Sequence, residues 1–315
     1  MNFRVLVSDK LDKQGVDLLA NAAGITVDVK TGLKPEEQLE IIGNYDGLVV
    51  RSATKVTEAM LAKAKNLKIV IRAGIGVDNI NLAACKAAGV VVENTPRGNV
   101  VSAAEHAIAL MMSLARQVPS ASHLTKSGVW EKSKYMGTEI TGKTLGIVGT
   151  GNIGAVVVDR AIGLRMKVIA FDPILTAEKA AALGVEKLTH IDELWPRADV
   201  ISLHVPLIES TKNILNDLSF AKMKKGVLLV NAARGGLIDE DALLRAIDAG
   251  IVRGAALDVF ETEPARKDHP LFGRDEIIAT PHLGASTFEA QVNVAVEAAE
   301  QMIAFAINGT KMNAF

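Results

Sequence analysis

The sequence predicts an α/β chain made of two doubly wound parallel-sheet domains, one inserted into the other. Three observations predict it. Short runs rich in branched apolar residues alternate strictly with helical stretches, the pattern of βαβ units with helices on both faces of a sheet. A glycine-rich turn, Gly149-Thr-Gly-Asn-Ile-Gly154, joins an apolar run to a helical one in mid-chain. The last helical stretch, about Thr287–Ile307, is longer than the others and polar on one face, as suits a helix that crosses back to the first domain.

The bulk numbers are consistent with this class. A chain of 315 residues is long enough for two ordinary cores, and 49% hydrophobic with 23% charged residues is globular composition without a disordered tract. A formal net charge of −1 argues against a general nucleic-acid or membrane-surface binder, so an acidic small-molecule substrate must be met by local cations. Cys85 is the only cysteine, which leaves no intrachain disulfide and no cysteine-based metal cage. No metal site is expected. The first residues lack a basic segment followed by an apolar core and a small-residue cleavage site, and no apolar run is long enough to span a bilayer. A cytoplasmic location is expected.

In chain order, strands are expected at Arg4–Val7, Thr26–Val29, Gly47–Val50, Ile69–Arg72 and Val90–Glu93. The helical stretches between them are about Lys13–Ala22, Pro35–Ile42, Thr57–Ala64 and Leu82–Ala88. The turn formers of Asn94-Thr-Pro-Arg-Gly-Asn99 then mark a boundary. A long helix, about Val101–Arg116, carries Ala104, Ala107, Ile108, Met111 and Met112 on one face and is closed by Pro119. Ser127–Thr138 has irregular periodicity, with Trp130 and Tyr135 among Lys132 and Lys134, and suits either an arm packed on a neighbouring subunit or a surface loop.

The glycine turn organises the second domain. Thr144-Leu-Gly-Ile-Val148 reads as a buried parallel strand, Lys167-Val-Ile-Ala-Phe171 as the next, and Asp172 ends it eighteen positions past Gly154. In a Rossmann domain Gly149 permits the turn, Gly151 lets a pyrophosphate approach the backbone, and Gly154 lets helix and strand pack. The helix starting near Ile153 aims its free N–H groups at that pyrophosphate. Asp172 accepts ribose hydroxyls but repels a 2′-phosphate, and Pro173, Ile174 and Leu175 supply no cation, so NAD is expected over NADP. Further strands are expected near Val200–Leu203, Gly226–Val230, Gly254–Leu257 and Ile277–Ala279, with a helix Asp239–Ala249. The domain division expected is 1–96 with 286–315 for a discontinuous, flavodoxin-like substrate domain, and 97–285 for the NAD-binding domain, with a dimerisation helix and arm at about 99–140.

Oxidising an alcohol with NAD needs a proton acceptor, a cation for an anionic substrate and an orienting carboxylate. Arg234 follows the apolar strand Val227–Val230, Glu263 comes soon after the strand leading to Asp258, and His282 leaves the next strand. Doubly wound folds bind ligands at the carboxyl ends of their strands.

Gly149–Gly154, Asp172, Asn231-Ala-Ala-Arg-Gly-Gly236, Leu257-Asp-Val-Phe-Glu-Thr-Glu-Pro264 and Pro281-His-Leu-Gly-Ala-Ser-Thr287 together resemble the D-isomer-specific 2-hydroxyacid dehydrogenases. Further likeness, to members acting on 3-phospho-D-glycerate, rests on Val49-Val-Arg-Ser-Ala-Thr-Lys-Val56, Arg72-Ala-Gly-Ile-Gly-Val-Asp78, Asn94–Asn99, Ser102-Ala-Ala-Glu-His106, Met136-Gly-Thr-Glu139 and Gly142-Lys-Thr-Leu-Gly146. The resemblance implies that Arg234 holds the substrate carboxylate, that His282 exchanges the hydroxyl proton, and that Glu263 orients the imidazole and favours its protonated form. It implies cofactor contacts at Asn152, Ile153, Asp172, Val205, Pro206 and Ala232, and at Asp258 beside the nicotinamide. His282, Gly284 and Ala285 complete that set. It implies a substrate site at Arg51, Ser52, Arg72, Ala73 and Gly74, where the two arginines meet a phosphate as the domains close on it. A homodimer is also implied. The alternatives are a glyoxylate or hydroxypyruvate reductase, and an NAD-binding corepressor-like scaffold. Ile75 and Val205 stand where the most similar enzymes carry Thr, and Lys132 and Lys134 are fewer cations than such arms usually hold. A short type is expected, lacking the C-terminal regulatory domains of longer relatives.

Overall fold

The computed structural model describes residues 2–315. The chain divides into two compact units, one reaching Val100 and taking up again at Ala285–Phe315, the other comprising Val101–Gly284.

The first unit is a five-stranded parallel sheet of β1 (Phe3–Val7), β2 (Ile25–Val29), β3 (Gly47–Val50), β4 (Ile69–Arg72) and β5 (Val91–Asn94). The strand order β2-β1-β3-β4-β5 is that of the flavodoxin-like doubly wound fold. Between the strands lie α1 (Lys13–Ala20), α2 (Pro35–Ile41), α3 (Glu58–Lys63) and α4 (Leu82–Ala87). Side chains alternate along each strand, so Val5 and Val7 join one core with Ile69 and Ile71, while Leu6 joins the other with Leu48 and Val70. The first core is roofed by Val294, Ala298 and Met302 of the C-terminal helix, Phe288–Asn308. Thr287 caps that helix by accepting from Ala290 N, and Gly309 ends it in a left-handed turn. The β5 edge is not bare: Ala314 bridges Glu93, and Phe315 N–H donates to Val92 O at 3.0 Å.

In the second unit α5 (Val100–Arg116) buries Ala104, Ala107 and Met111, the face read from the sequence. The segment after α5 differs from the expectation. Gln117 turns left-handed, and Pro119 lies in the first turn of a further helix, α6 (Val118–Lys126), where a missing N–H costs nothing. Residues 127–138 are irregular apart from a 3₁₀ turn at Lys132–Lys134.

The rest of the unit is β6 (Thr144–Val148), α7 (Asn152–Gly163), β7 (Lys167–Phe171), α8 (Ala177–Leu183), β8 (Glu186–Lys187) and β9 (Val200–Leu203). Then come α9 (Asp217–Phe220), β10 (Val227–Asn231), α10 (Glu240–Asp248), β11 (Val252–Leu257) and β12 (Ile277–Ala279). All seven strands are parallel, in the order β12-β11-β10-β9-β6-β7-β8. The order reverses between β6 and β9, and such switch points open a crevice at the strand carboxyl ends. Among the described residues no helix is long and apolar enough to cross a membrane.

Candidate active site

The three glycines of the turn after β6 do different work. Gly149 has φ +95°, and a Cβ there would lie 2.5 Å from His204 O. A Cβ on Gly154 would lie 2.1 Å from Gly149 O, so α7 packs directly on the turn. A Cβ on Gly151 would meet nothing within 4 Å, which leaves that flank of the backbone open to a ligand. Gly151 is also the N-cap of α7 and makes no side-chain cap hydrogen bond. An open glycine flank, a helix start and an acid at the next strand fit the pyrophosphate and ribose of NAD.

Asp172 ties this turn to β7. Its Oδ2 accepts from Thr150 N at 2.8 Å and Thr150 Oγ1 at 3.1 Å, and its Oδ1 accepts from Ile174 N at 3.0 Å. A carboxylate offers about four lone-pair sites, so capacity remains for a ribose hydroxyl. Sequence reading missed Lys179, whose Nζ donates to Thr150 O at 2.9 Å and brings a cation to the glycine turn. Nothing in the local motif signals it, because the Thr176 cap and the path of α8 decide where it lies. Beyond β9, Val205 packs partly on the core and Pro206 is exposed. His204 sits against the glycine turn with Nε2 2.8 Å from Ser202 Oγ, and burial lowers its pKa to about 4.

At the other strand ends the chain assembles a proton-handling group. Asn231 closes β10, its Oδ1 accepting from Ala233 N at 3.1 Å and its Nδ2 donating to Arg234 O at 2.8 Å. That side chain shapes the turn presenting Ala232 and Arg234. Arg234 Nη1 donates to Ala233 O at 2.6 Å. A Cβ on Gly235 would lie 1.8 Å from Phe260 O, so this turn packs on the segment that carries Glu263. Glu263 Oε1 accepts from Phe260 N at 3.2 Å, and its Oε2 lies 2.7 Å from His282 Nδ1. Burial raises the Glu263 pKa, yet the hydrogen bond and charge of His282 outweigh it and leave the carboxyl below its usual value. His282 is about half exposed, at 48%. With Nδ1 on Glu263, Nε2 is the nitrogen left to exchange a proton.

The side chain of Asp258 is 0% exposed, and its oxygens are engaged within the protein. Oδ1 accepts from Thr280 Oγ1 at 2.6 Å and Leu283 N at 2.7 Å and lies 3.1 Å from His106 Nε2, while Oδ2 accepts from Gly284 N at 2.9 Å. Burial raises its pKa, but His106, Thr280 and Leu283 more than compensate, and the net shift is downward. Ser102 Oγ also donates to Gly284 O at 2.7 Å.

The substrate candidates of the other unit lie at the ends of β3 and β4, where Val50 pairs with Arg72. Arg51 is half-buried and forms no ion pair among the described residues. Its Nη1 donates to Gln291 Oε1, and its Nε is buried without a hydrogen-bond partner. Burial lowers its pKa, with Asp9 opposing. Asp9 shapes the loop, accepting from Arg51 N at 2.6 Å and Thr54 Oγ1 at 2.7 Å. Gly74 has φ +150°, and a Cβ there would lie 2.1 Å from Arg72 Nη1, so the guanidinium folds over a residue that must be glycine. Ser52 is exposed. Ala73 is 2% exposed in the core, and its N–H donates to Val50 O at 2.8 Å. Ile75 O accepts from Asn94 Nδ2 at 2.6 Å.

Residues 108–284 match the D-isomer specific 2-hydroxyacid dehydrogenase family, NAD binding domain. A D-3-phosphoglycerate dehydrogenase of Archaeoglobus fulgidus is 47% identical over 300 residues, which is 95% of this chain and 56% of that protein. A chloroplastic D-3-phosphoglycerate dehydrogenase of Arabidopsis thaliana is 50% identical over 307 residues, covering 97% of this chain and 49% of its own. The chain thus spans about half the length of these curated relatives. Among solved structures, a glyoxylate reductase from Paecilomyes thermophila superposes with a TM-score of 0.90 at 29% identity, covering 99% of this chain and 98% of that one. With its glycine turn and its His282–Glu263 pair, the chain belongs to the D-isomer-specific 2-hydroxyacid dehydrogenases, and its second unit is their NAD-binding domain.

Proposed function

We propose that the chain is an NAD-dependent D-3-phosphoglycerate dehydrogenase, which oxidises 3-phospho-D-glycerate to 3-phosphohydroxypyruvate. The observation that carries the substrate assignment is Arg51: a partly desolvated guanidinium that hydrogen-bonds the neutral Gln291 and forms no ion pair among the described residues suits an anion supplied from outside. Arg72, one strand over and folded above Gly74, is its companion in phosphate recognition. The phosphoglycerate dehydrogenases at 47–50% identity support the same reading.

In this reading Arg234 binds the substrate carboxylate and polarises the reacting oxygen. His282 Nε2 takes the hydroxyl proton in oxidation and returns it in reduction, while Glu263 holds Nδ1 and stabilises the imidazolium that forms. NAD, when bound, accepts the hydride from the carbon bearing that hydroxyl. The enzyme acts in the cytoplasm as a homodimer, for which Trp130, 85% exposed, and Met136, 80% exposed, offer an apolar surface near Lys132 and Lys134.

The test is a panel of 2-hydroxy and 2-keto acids, with and without phosphate, on the parent, Arg51→Ala and Arg72→Ala. Losing one charge-assisted hydrogen bond of about 1.5–3 kcal/mol should cost roughly tenfold to a hundredfold in kcat/KM. The loss is expected on the phosphorylated acid and not on glycerate or glyoxylate. Equal losses on both would indicate general damage, and no loss on either would favour a reductase of unphosphorylated acids.

A further inference from the structure

We infer that Gln291 is a specificity-determining positioning residue: it aims Arg51 without neutralising it, and thereby sets the preference for a phosphorylated over an unphosphorylated acid. This rests on the reading of Arg51 as a phosphate ligand.

Gln291 stands in the first turns of the C-terminal helix, its own N–H donating to Thr287 O at 3.0 Å. Both ends of its carboxamide are engaged. Oε1 accepts from Arg51 Nη1, and Nε2 donates to Ala285 O at 2.7 Å. The orientation is therefore determined chemically. A flipped amide would press its NH₂ on the guanidinium and its oxygen on a carbonyl, two donor–donor and acceptor–acceptor clashes.

Arg51 is held from its other end as well. Its N–H donates to Asp9 Oδ2 at 2.6 Å, and its carbonyl accepts from Asn79 Nδ2 at 2.8 Å. Backbone and guanidinium are thus both fixed, by an arrangement that gives the side-chain head a neutral acceptor. A carboxylate at position 291 would hold the head equally well but would cancel its charge. A neutral amide fixes direction without setting a carboxylate on the guanidinium, so the positive charge stays available to an incoming anion. Asp9 is the nearby acid, and it is occupied by the loop, accepting from Thr54 N at 3.1 Å and Thr54 Oγ1 at 2.7 Å.

The experiment measures NADH-dependent reduction of phosphohydroxypyruvate and of hydroxypyruvate by the full chain, by Gln291→Met and by Gln291→Glu. Gln291→Met keeps the length and removes the acceptor; it should lower the ratio of kcat/KM for phosphorylated over unphosphorylated acid by about tenfold, mostly through KM. Gln291→Glu should lower the ratio further. Thermal midpoints and NADH titrations report folding, and the neutral Gln291→Met carries the test where Gln291→Glu does not fold. A ratio unchanged in Gln291→Met overturns the role of Gln291, as does a ratio in folded Gln291→Glu no lower than in Gln291→Met. A parent with no preference for the phosphorylated acid overturns the phosphate reading itself, and this inference with it.

Discussion

Asp258 holds the loop of His282 through both its backbone and its side chain. Its carbonyl accepts the His282 N–H at 2.9 Å, and its buried carboxylate accepts the next two N–H groups, Leu283 at 2.7 Å and Gly284 at 2.9 Å. His282 has φ +57°, a conformation an L-residue adopts at a cost, and this brace supports it.

Replacing Asp258 with Asn removes the charge and sets an NH₂ against N–H donors. The expected result is a fall of roughly tenfold to a hundredfold in kcat/KM, one charge-assisted hydrogen bond, with NADH affinity by fluorescence titration much less affected. Should NADH affinity fall in step with kcat/KM, Asp258 acts on the cofactor after all.

The proposed role of Asp172 in cofactor choice is open to direct test. In Asp172→Ala the repulsion of a 2′-phosphate disappears while Lys179 remains on Thr150 O, so the ratio of kcat/KM for NAD over NADP should fall. Comparable use of both cofactors by the parent would defeat the charge argument.

The Glu263–His282 pair gives a signed pH prediction. Glu263 is held below its usual range because the hydrogen bond and charge of His282 outweigh its burial. Glu263→Gln removes the carboxylate that holds His282 Nδ1 at 2.7 Å, so kcat/KM should fall by roughly tenfold to a hundredfold in both directions, the worth of one charge-assisted hydrogen bond. An unchanged kcat/KM would remove Glu263 from this role. A depressed carboxyl also contributes stability above its unfolded pKa of 4.5, lost as pH falls through the folded value, so the parent's margin over Glu263→Gln should narrow on acidification.

His204 makes stability acid-sensitive. Its folded pKa, about 4, lies below the unfolded 6.5, so the unfolded chain binds the extra proton between those values. This contribution is complete above pH 6.5 and is lost as pH falls towards 4. Its size is at most about 3 kcal/mol, and less because the residue keeps some surface exposure. Urea midpoints of His204→Gln should fall less steeply across that window than the parent's. Parallel slopes would show that His204 is not the group.

The amino-acid sequence by itself determined what depends on periodicity and on short-range chemistry. Branched runs at β1, β3, β4 and β9 and the amphipathic face of α5 were legible because burial on a pleat or a helix repeats every two or 3.6 residues. The glycine turn was legible because a dinucleotide needs its glycines at fixed local spacing. The short β8, α8 and α9 were not, since so few residues carry too little pattern, and α6 hid behind a proline read as an end where it marks a start. Tertiary structure alone decided the long-range pairings: His106 and Thr280 on Asp258, Lys179 on Thr150, Gln291 on Arg51. A motif names Asp258, but whether its oxygens face a ligand or a loop depends on donors that the fold brings from elsewhere in the chain. Hydrogen bonds reach about 3 Å and are blind to sequence separation, so their partners exist only once the sheets have formed.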